Sequence, residues 1–455
     1  MNPTRRARGI PWGWSALYNL LAVPVGLSFF HLSRFSSPKV REGLEGRRGL
    51  WRRLEAAKKE LQGAVWFHAS SVGEYEQARP VLRALREEAA ARSIDLPIVV
   101  TVFSPSGYHF ARGRKEGDLL EYLPLDTWLS AWRMVSILRP RALVFVKFDC
   151  WPNMIWAAQR AGVPLFLLDA TLHRKSHRLT PPIRSFFGRL FDGFAAIGAI
   201  SEDDARRFRE DLKTRAPVHV TGDTRTDQVV HRWKEAEKGN LRKLLDEAPW
   251  RYLALGSIWP PDEECILQPV LDALSADGQL GLILVPHEPQ PHHLERLEAA
   301  AHARGLAPIR LSRLVELPTL RRRSTAEAKD PKRWRCVVVD TVGVLPEIYR
   351  ATVLSYVGGS FSTGVHNVLE PAVCGQPVLF GPRIHNAYEA ERLVERGAGF
   401  VVENPEEAAR VLSRLLQDEG ERSRAGRAAQ EFVLSQSGAT AASLELLCPA
   451  VFPGG

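Results

Sequence analysis

The stretch GAVWFHASSVGE (residues 63–74) sets the architecture: an apolar run ending at His68, two serines, a glycine, and an acidic residue where a polar, helix-forming segment opens. It reads as strand, tight turn, helix. The same grammar recurs in LPIVVTVF (96–103), RALVFVKF (141–148), VPLFLLDA (163–170), FAAIGAIS (194–201) and PVHVTG (217–222). A polar helical stretch follows, Asp227 to Glu247. The alternation then restarts with RYLALGS (251–257), LGLILVP (280–286), CVVVD (336–340), VLSYVGG (353–359), PVLFGP (377–382) and GFVV (399–402). Short runs rich in Val, Ile and Phe between amphipathic segments are the pattern of β-α units on parallel sheets. The expected fold class is α/β, with two doubly wound domains facing each other across a cleft.

The domain boundaries follow: an N-terminal membrane segment (1–35), a first doubly wound domain (36–235), a second (236–435), and a tail (436–455) whose return to the first domain is left open. Ligands of open parallel sheets sit beyond the carboxyl ends of the strands, so the residues just after each strand matter most. The basic segment Ser312–Arg335, with Arg321, Arg322 and Arg323, interrupts the second domain and reads as a solvated insertion.

At 455 residues, 45% apolar and 25% charged, the chain is of globular composition; disordered, collagenous and polytopic membrane classes are excluded. The net charge of +9 is unevenly placed. Residues 1–62 hold twelve Lys/Arg against four Asp/Glu, which leaves the rest of the chain close to neutral. A terminal concentration of this kind suits a membrane surface with anionic lipids, and no nucleic acid is expected. The five cysteines are scattered without a Cys-x-x-Cys pair and read as structural, reduced thiols. Oligomeric state is not legible.

Between Ile10 and Leu32 runs IPWGWSALYNLLAVPVGLSFFHL, flanked by Arg5, Arg6 and Arg8 before and Arg34, Lys39 and Arg41 after. It is about long enough to enter or cross a bilayer. Asn19, Pro24 and His31 weaken a straight spanning helix, and both a spanning and a surface-lying helix stay open. A buried core helix is the bland alternative.

Three segments carry chemistry. In HASSVGE (68–74), Ser70, Ser71 and Gly73 can present backbone N–H groups, and Glu74 falls in the first helical turn. Glu74 is a candidate general base on an acceptor hydroxyl or, more plainly, a helix-capping acid. In KFDCWPN (147–153), Asp149 can share a pocket with Glu74 and set its protonation, or cap the helix after Pro152. In VGGSFSTGVHNVLEP (357–371), a glycine-rich turn with Gly358, Gly359 and Gly364 precedes a helix expected near His366 and Asn367, with Glu370 a turn further in. This is a candidate phosphate cradle, and GPRIHN (381–386) is expected to line the same cleft.

His287, Glu288, His292 and His293 lack helical ligand spacing, so no metal is expected. The absence of G-x-x-x-x-G-K-[ST], G-x-S-x-G and G-x-G-x-x-G after a first strand argues against nucleotide hydrolysis, serine esterase chemistry and hydride transfer.

Taken in order, WFHASSVGE, YLPLD (122–126), WPN (151–153), VTGDTRTD (220–227), GSIWPPDEE (256–264), LVPHEP (284–289), VVVDTVGVLPEIY (337–349) and GGSFSTGVHNVLEPAVCGQPVLFGP resemble the 3-deoxy-D-manno-octulosonic acid (Kdo) transferases of lipopolysaccharide assembly. The resemblance implies a GT-B glycosyltransferase built of two Rossmann-like domains. It implies inverting, metal-independent transfer of Kdo from CMP-Kdo to a lipid A precursor at the cytoplasmic face of the inner membrane, with no cofactor. Glu74 matches the family's base, Asp149 the position of a second carboxylate, and Glu370 the contact to the nucleotide ribose. Ser257, Gly364, His366 and Asn367 fall around the phosphate.

The chain departs from the family pattern near these contacts. Lys147, Phe148, Asp149 and Cys150 stand where the pattern reads Glu-x-Glu-Leu, and Trp259 stands for a histidine. Pro286, His287 and Glu288 replace Pro-Arg-His, a loss that weakens phosphate attraction unless His287 or Arg383 substitutes for the arginine. Val365 takes the place of a glycine, and Asp169–Leu172 replace Asn-Ala-Arg-Leu. A related transferase with another nucleotide sugar or acceptor, and a non-catalytic membrane scaffold, are the competing expectations.

Overall fold

The computed structural model describes residues 12–114, 116–316, 321–322, 334–385 and 387–453. Arg5, Arg6, Arg8 and most of the basic insertion, 317–320 and 323–333, lie outside the described residues, as does Asn386. The chain divides into two compact units, one running to Gln228 and including Ser437 onward, the other Val229–Gln436.

The first unit is built on seven strands: β1 (Val65–His68), β2 (Ile98–Val102), β3 (Leu119–Tyr122), β4 (Ala142–Val146), β5 (Leu165–Ala170), β6 (Ala196–Ala199) and β7 (Val218–Val220). Their order is β3-β2-β1-β4-β5-β6-β7, and every pairing is parallel. β1, β2 and β4 are buried at every position, as strands covered by helices on both faces must be. This explains why they read as unbroken apolar runs. The buried indole of Trp66 is satisfied by Thr101 Oγ1 at 2.8 Å.

In the second unit the strands are β8 (Arg251–Ile258), β9 (Leu280–Pro286), β10 (Pro308–Arg310), the short pair β11 (Val315–Glu316) and β12 (Arg321–Arg322), then β13 (Cys336–Val338), β14 (Thr352–Val357), β15 (Val378–Phe380) and β16 (Gly399–Val401). The main sheet runs β10-β13-β9-β8-β14-β15-β16, again wholly parallel. Both units are thus doubly wound.

Strand order reverses between β1 and β4 in the first sheet and between β8 and β14 in the second. At such a switch point the connections on either side leave in opposite directions and open a crevice beyond the strand ends. The segments that follow β1, β4, β8 and β14 are therefore the ones placed to bind. Lys147, just beyond β4, and Ser257, at the end of β8, take left-handed backbone angles of φ 68° and 54°. Such angles are uncommon for residues with a Cβ and concentrate at functional turns.

Several elements differ from the sequence reading. β3 and β10 were not anticipated as strands. The polar stretch 227–247 is two helices, Thr224–Ala236 and Asn240–Asp246. The helix expected near His366 begins at Leu369 and ends at Val373, with Val368 as its N-cap; Asn367 Oδ1 accepts the Leu369 N–H at 3.1 Å in the turn just before it. The tail forms a helix, Ala439–Val451, that belongs to the first unit. Leu447, Val451 and Phe452 join the core behind β1 and β4, and Arg141 donates to the Val451 carbonyl at 3.1 Å.

All five cysteines are free thiols. Burial pushes Cys150, Cys336 and Cys374 up to about 12 and Cys265 to about 11, which leaves them unreactive near neutrality.

The apolar N-terminal segment is helical from Trp12 to Ser33, with a π-helical turn at Tyr18–Ala22. Gly13–Ser33, 21 residues, is long and apolar enough to cross a membrane by length and composition. No residue of the π turn or of Val23–Ser33 is fully buried.

Candidate active site

In the first unit, β1 delivers His68 and the turn Ala69–Ser71, and a helix follows at Val72–Ala91. Ser71 caps it: its Oγ accepts the Glu74 N–H at 3.4 Å. Glu74 bends back, and its Oε2 accepts the Ser70 N–H at 2.5 Å. This is nearly the reciprocal capping expected of Ser-x-x-Glu. The cap fixes the carboxyl group without forming an ion pair. Glu74 is only 5% exposed; burial, then the charge of Asp149, raises it to about 7, against the opposing pull of Ser70 N–H and Lys147. A fixed carboxyl group titrating near neutrality is suited to proton transfer. Gly73 is exposed in the first turn, with nothing within 4 Å of where a Cβ would stand.

Asp149 does not cap the following helix, whose N-cap is Trp151 with no side-chain cap bond. That role belongs to Asp126, whose carboxylate accepts the N–H groups of Asn153 and Met154, each at 3.2 Å. Asp149 remains half-exposed, its Oδ2 3.8 Å from His68 Nε2.

Two residues of this cluster escaped the sequence reading as participants, His68 and Trp151. The indole N–H of Trp151 donates to His68 Nε2 at 2.9 Å. An indole nitrogen only donates, so His68 Nε2 carries the lone pair, and its Nδ1–H points to the Thr101 carbonyl at 3.1 Å. Ser70 Oγ lies 2.9 Å from the same Nε2. The signal was available in the side-by-side ends of β1 and β4, but only once their pairing was known.

The second unit places Ser257 at the end of β8, His287 just after β9, Gly359, Gly364, His366 and Asn367 in the segment after β14, and Arg383 just after β15. His366 and His287 stack at 4.4 Å with an 8° interplanar angle, and Trp259 stacks on His287 at 4.6 Å, beside His366. Trp259 also donates through its indole N–H to His366 Nε2 at 2.9 Å. His366 therefore holds its proton on Nδ1. Burial lowers both histidines, with His287 lowering His366 further, so the pair is neutral at pH 7. Asp262 braces the turn, accepting the Gly359 N–H and the Tyr356 hydroxyl, each at 2.9 Å. Trp259 and Asp262 are further contributors that the sequence reading did not single out as site residues.

The glycine-rich turn does not offer its amides as expected. The N–H groups of Gly364, Val365 and His366 are committed to the carbonyls of Gly359, Arg383 and Gly358 at 3.0, 3.1 and 3.0 Å. The helix after it has only five residues, and the helix-mouth cradle expected from the sequence is not formed. Arg383 is exposed, and its guanidinium donates to the Ser362 carbonyl. Glu370 is partly buried and pairs with Arg232 at 3.6 Å.

The residues 42–228 match the family model described as "3-Deoxy-D-manno-octulosonic-acid transferase (kdotransferase)". The 3-deoxy-D-manno-octulosonic acid transferase of Haemophilus influenzae is 26% identical over 96% of this chain and 98% of its own length. That of Chlamydia trachomatis serovar A is 29% identical over 87% and 85%. The chain is thus similar to Kdo transferases over most of its length. It is therefore a glycosyltransferase, and its fold is GT-B. Among solved structures, the UDP-GlcNAc 2-epimerase of Neisseria meningitidis superposes with a TM-score of 0.59 at 11% identity, covering 84% of this chain and 99% of that one. This likeness is one of fold.

Glu74 lies after β1 at the first switch point and His366 and Asn367 after β14 at the second, where Trp259, His287 and His366 form an aromatic cluster. The stack accounts for the departures at 259 and 287 together, since each ring leans on the other.

Proposed function

We propose that the protein transfers Kdo from CMP-Kdo to a lipid A precursor at the cytoplasmic face of the inner membrane, with inversion and without metal or cofactor. Glu74 is the general base. The observation that carries this reading is the Glu74 carboxyl group, fixed by the Ser70 N–H and raised to about 7 by burial and by Asp149.

Glu74 takes the proton of an acceptor sugar hydroxyl as its oxygen bonds to the anomeric carbon of Kdo. The bond from that carbon to the phosphate oxygen breaks, and CMP leaves with the electron pair. Charge developing on the leaving phosphate is met by Nδ1–H of His366, the Asn367 amide and Arg383, donors that act most strongly where water is excluded. Glu370 binds the ribose hydroxyls. Burial, and after it the charge of Asp149, holds Glu74 in its raised range and so matches the base to neutral pH.

The test is CMP release from CMP-Kdo with a lipid A precursor, wild type against Glu74→Gln. Turnover in wild type with a large loss in the variant is expected. CMP-Kdo binding with no transfer by wild type would instead support a scaffold.

A further inference from the structure

The segment VTGDTRTD (220–227) leaves β7 and opens the helix Thr224–Ala236. The mechanism above gives it no part. It meets two elements of the first unit: the end of β5, at Asp169, and the helix Val72–Ala91 that carries Glu74, at Gln77. Gln77 and Thr224 are 0% exposed and Asp169 1%. At this contact β5 is bent: Asp169 takes a left-handed φ of 50°, and the pairing of β5 with β6 slips between Leu167 and Ala170. A residue with a Cβ keeps such an angle only where its surroundings over-determine it, and such residues gather at functional sites.

The polar groups meet in a row. The Thr224 N–H donates to Asp169 Oδ1 at 2.7 Å, Thr224 Oγ1 lies 2.7 Å from Asp169 Oδ2, and the same Oγ1 lies 2.7 Å from the Gln77 carbonyl oxygen. A hydroxyl has one proton to give. The Gln77 carbonyl can only accept, so that proton goes to Gln77, and the proton of the other contact must come from Asp169. Two oxygens at 2.7 Å with no proton between them would repel. Asp169 is therefore a carboxylic acid. Asp223 is the carboxylate beside it, accepting from the Gln77 amide at 3.0 Å, the Arg225 N–H at 2.8 Å, Arg225 Nε at 2.7 Å and a second guanidinium nitrogen. The ionisable groups that act on Asp169 agree: burial, then the charge of Asp223, raises it against the pull of Thr224 and Arg225, while at Asp223 burial is outweighed by Arg225, which holds that carboxylate low.

We propose that Asp169 is a positioning residue for the Glu74 base: as a buried acid it donates to Thr224, which can then donate to the Gln77 carbonyl and so hold the opening turns of the Glu74 helix in place. Gln77 lies three residues beyond Glu74, about one turn along that helix. When Asp169 gives up its proton to solvent base, the Thr224 hydroxyl turns to the new carboxylate, and the Gln77 carbonyl is left facing oxygen lone pairs. The start of the helix must then move, and Glu74 with it. The enzyme gains an alkaline limit that Glu74 does not impose by itself. The positioning role rests on Glu74 as the base of sugar transfer, whereas the protonation of Asp169 does not.

Infrared difference spectra of the full chain at pH 7, wild type against Asp169→Asn, should show one carboxylic acid C=O band that belongs to wild type alone and fades as pH is raised; its absence would overturn the proposal. Hydrogen exchange of amides 72–78, corrected for its intrinsic pH dependence, should quicken on the alkaline side in wild type and not in Asp169→Asn. Equal behaviour of the two would overturn the positioning role. In kcat/KM for CMP release from CMP-Kdo with a lipid A precursor, wild type should level off past the Glu74 rise and then fall at alkaline pH. Asp169→Asn, whose amide N–H donates to Thr224 and whose carbonyl accepts the Thr224 N–H, should keep kcat at pH 7 within about threefold and lose the alkaline fall. Thr224→Val should lower kcat about tenfold with KM little changed, the size of one buried hydrogen bond. An alkaline fall that persists in Asp169→Asn would contradict the proposal, as would a Thr224→Val enzyme equal to wild type. Neither the infrared nor the exchange measurement needs a sugar donor, so failure of the positioning role and failure of the Kdo reading are told apart.

Discussion

The Trp151 indole donates to His68 Nε2 at 2.9 Å across the ends of β4 and β1, and this one bond fixes which nitrogen of a buried histidine faces the Glu74 turn. In Trp151→Phe the bond is gone while the ring volume is largely kept. Steady-state kinetics should show kcat reduced about five- to tenfold with KM little changed, the size of one neutral hydrogen bond.

The base itself predicts a pH profile. With Glu74 raised to about 7, kcat/KM should climb with pH and level off above that value as the carboxylate form fills. Glu74→Gln should lose about 10²–10⁴ in kcat and the rise with it. A profile already flat from pH 5 would contradict the assignment.

On the nucleotide side, Trp259→Phe removes the donor that holds His366 in its Nδ1–H form. CMP affinity, read by titration calorimetry at constant pH, should fall about fivefold. His366→Ala, which deletes the proposed phosphate donor as well, should cost more.

Gly359 has φ 97°, and a Cβ there would stand 2.5 Å from the Gly364 carbonyl oxygen and 2.7 Å from the His366 ring. Gly359→Ala must shift backbone or ring. The expected result is a melting temperature lowered by several degrees, about 1–3 kcal/mol of strain, together with weakened CMP binding.

Asp126 is 8% exposed and raised by burial to about 6, despite the N–H and hydroxyl groups that it accepts. A carboxyl group whose folded value lies above its unfolded one favours folding at low pH, and that contribution fades as pH climbs through the folded value. Asp126→Asn should therefore compare worst with wild type near pH 4 and better at pH 8 in thermal melts. A difference independent of pH would show that the carboxyl group is not strained by burial.

The β-α alternation was legible because parallel strands buried on both faces need continuous apolar runs, and the strands at both switch points were found that way. β3 was missed because LLEY carries the buried Glu121, paired with Arg53; β10 was missed because three residues hold no pattern. Within the site, Glu74 was visible as a serine-capped acid. His68 was not, since a histidine closing a strand looks like any other until its neighbours across the sheet are known. The phosphate cradle was misjudged for a related reason. Glycines announce a tight turn, but which carbonyls take its amides depends on how the turn closes on its own Gly358 and Gly359 and on Arg383, brought there from beyond β15.

The helix Ala439–Val451 completes the first unit's core, yet the ribosome makes it only after the whole of the second unit. The amino-terminal half must wait, its β1–β4 flank uncovered, until the second unit has been made. Molecules shortened before Leu447 should then be chaperone clients or protease substrates.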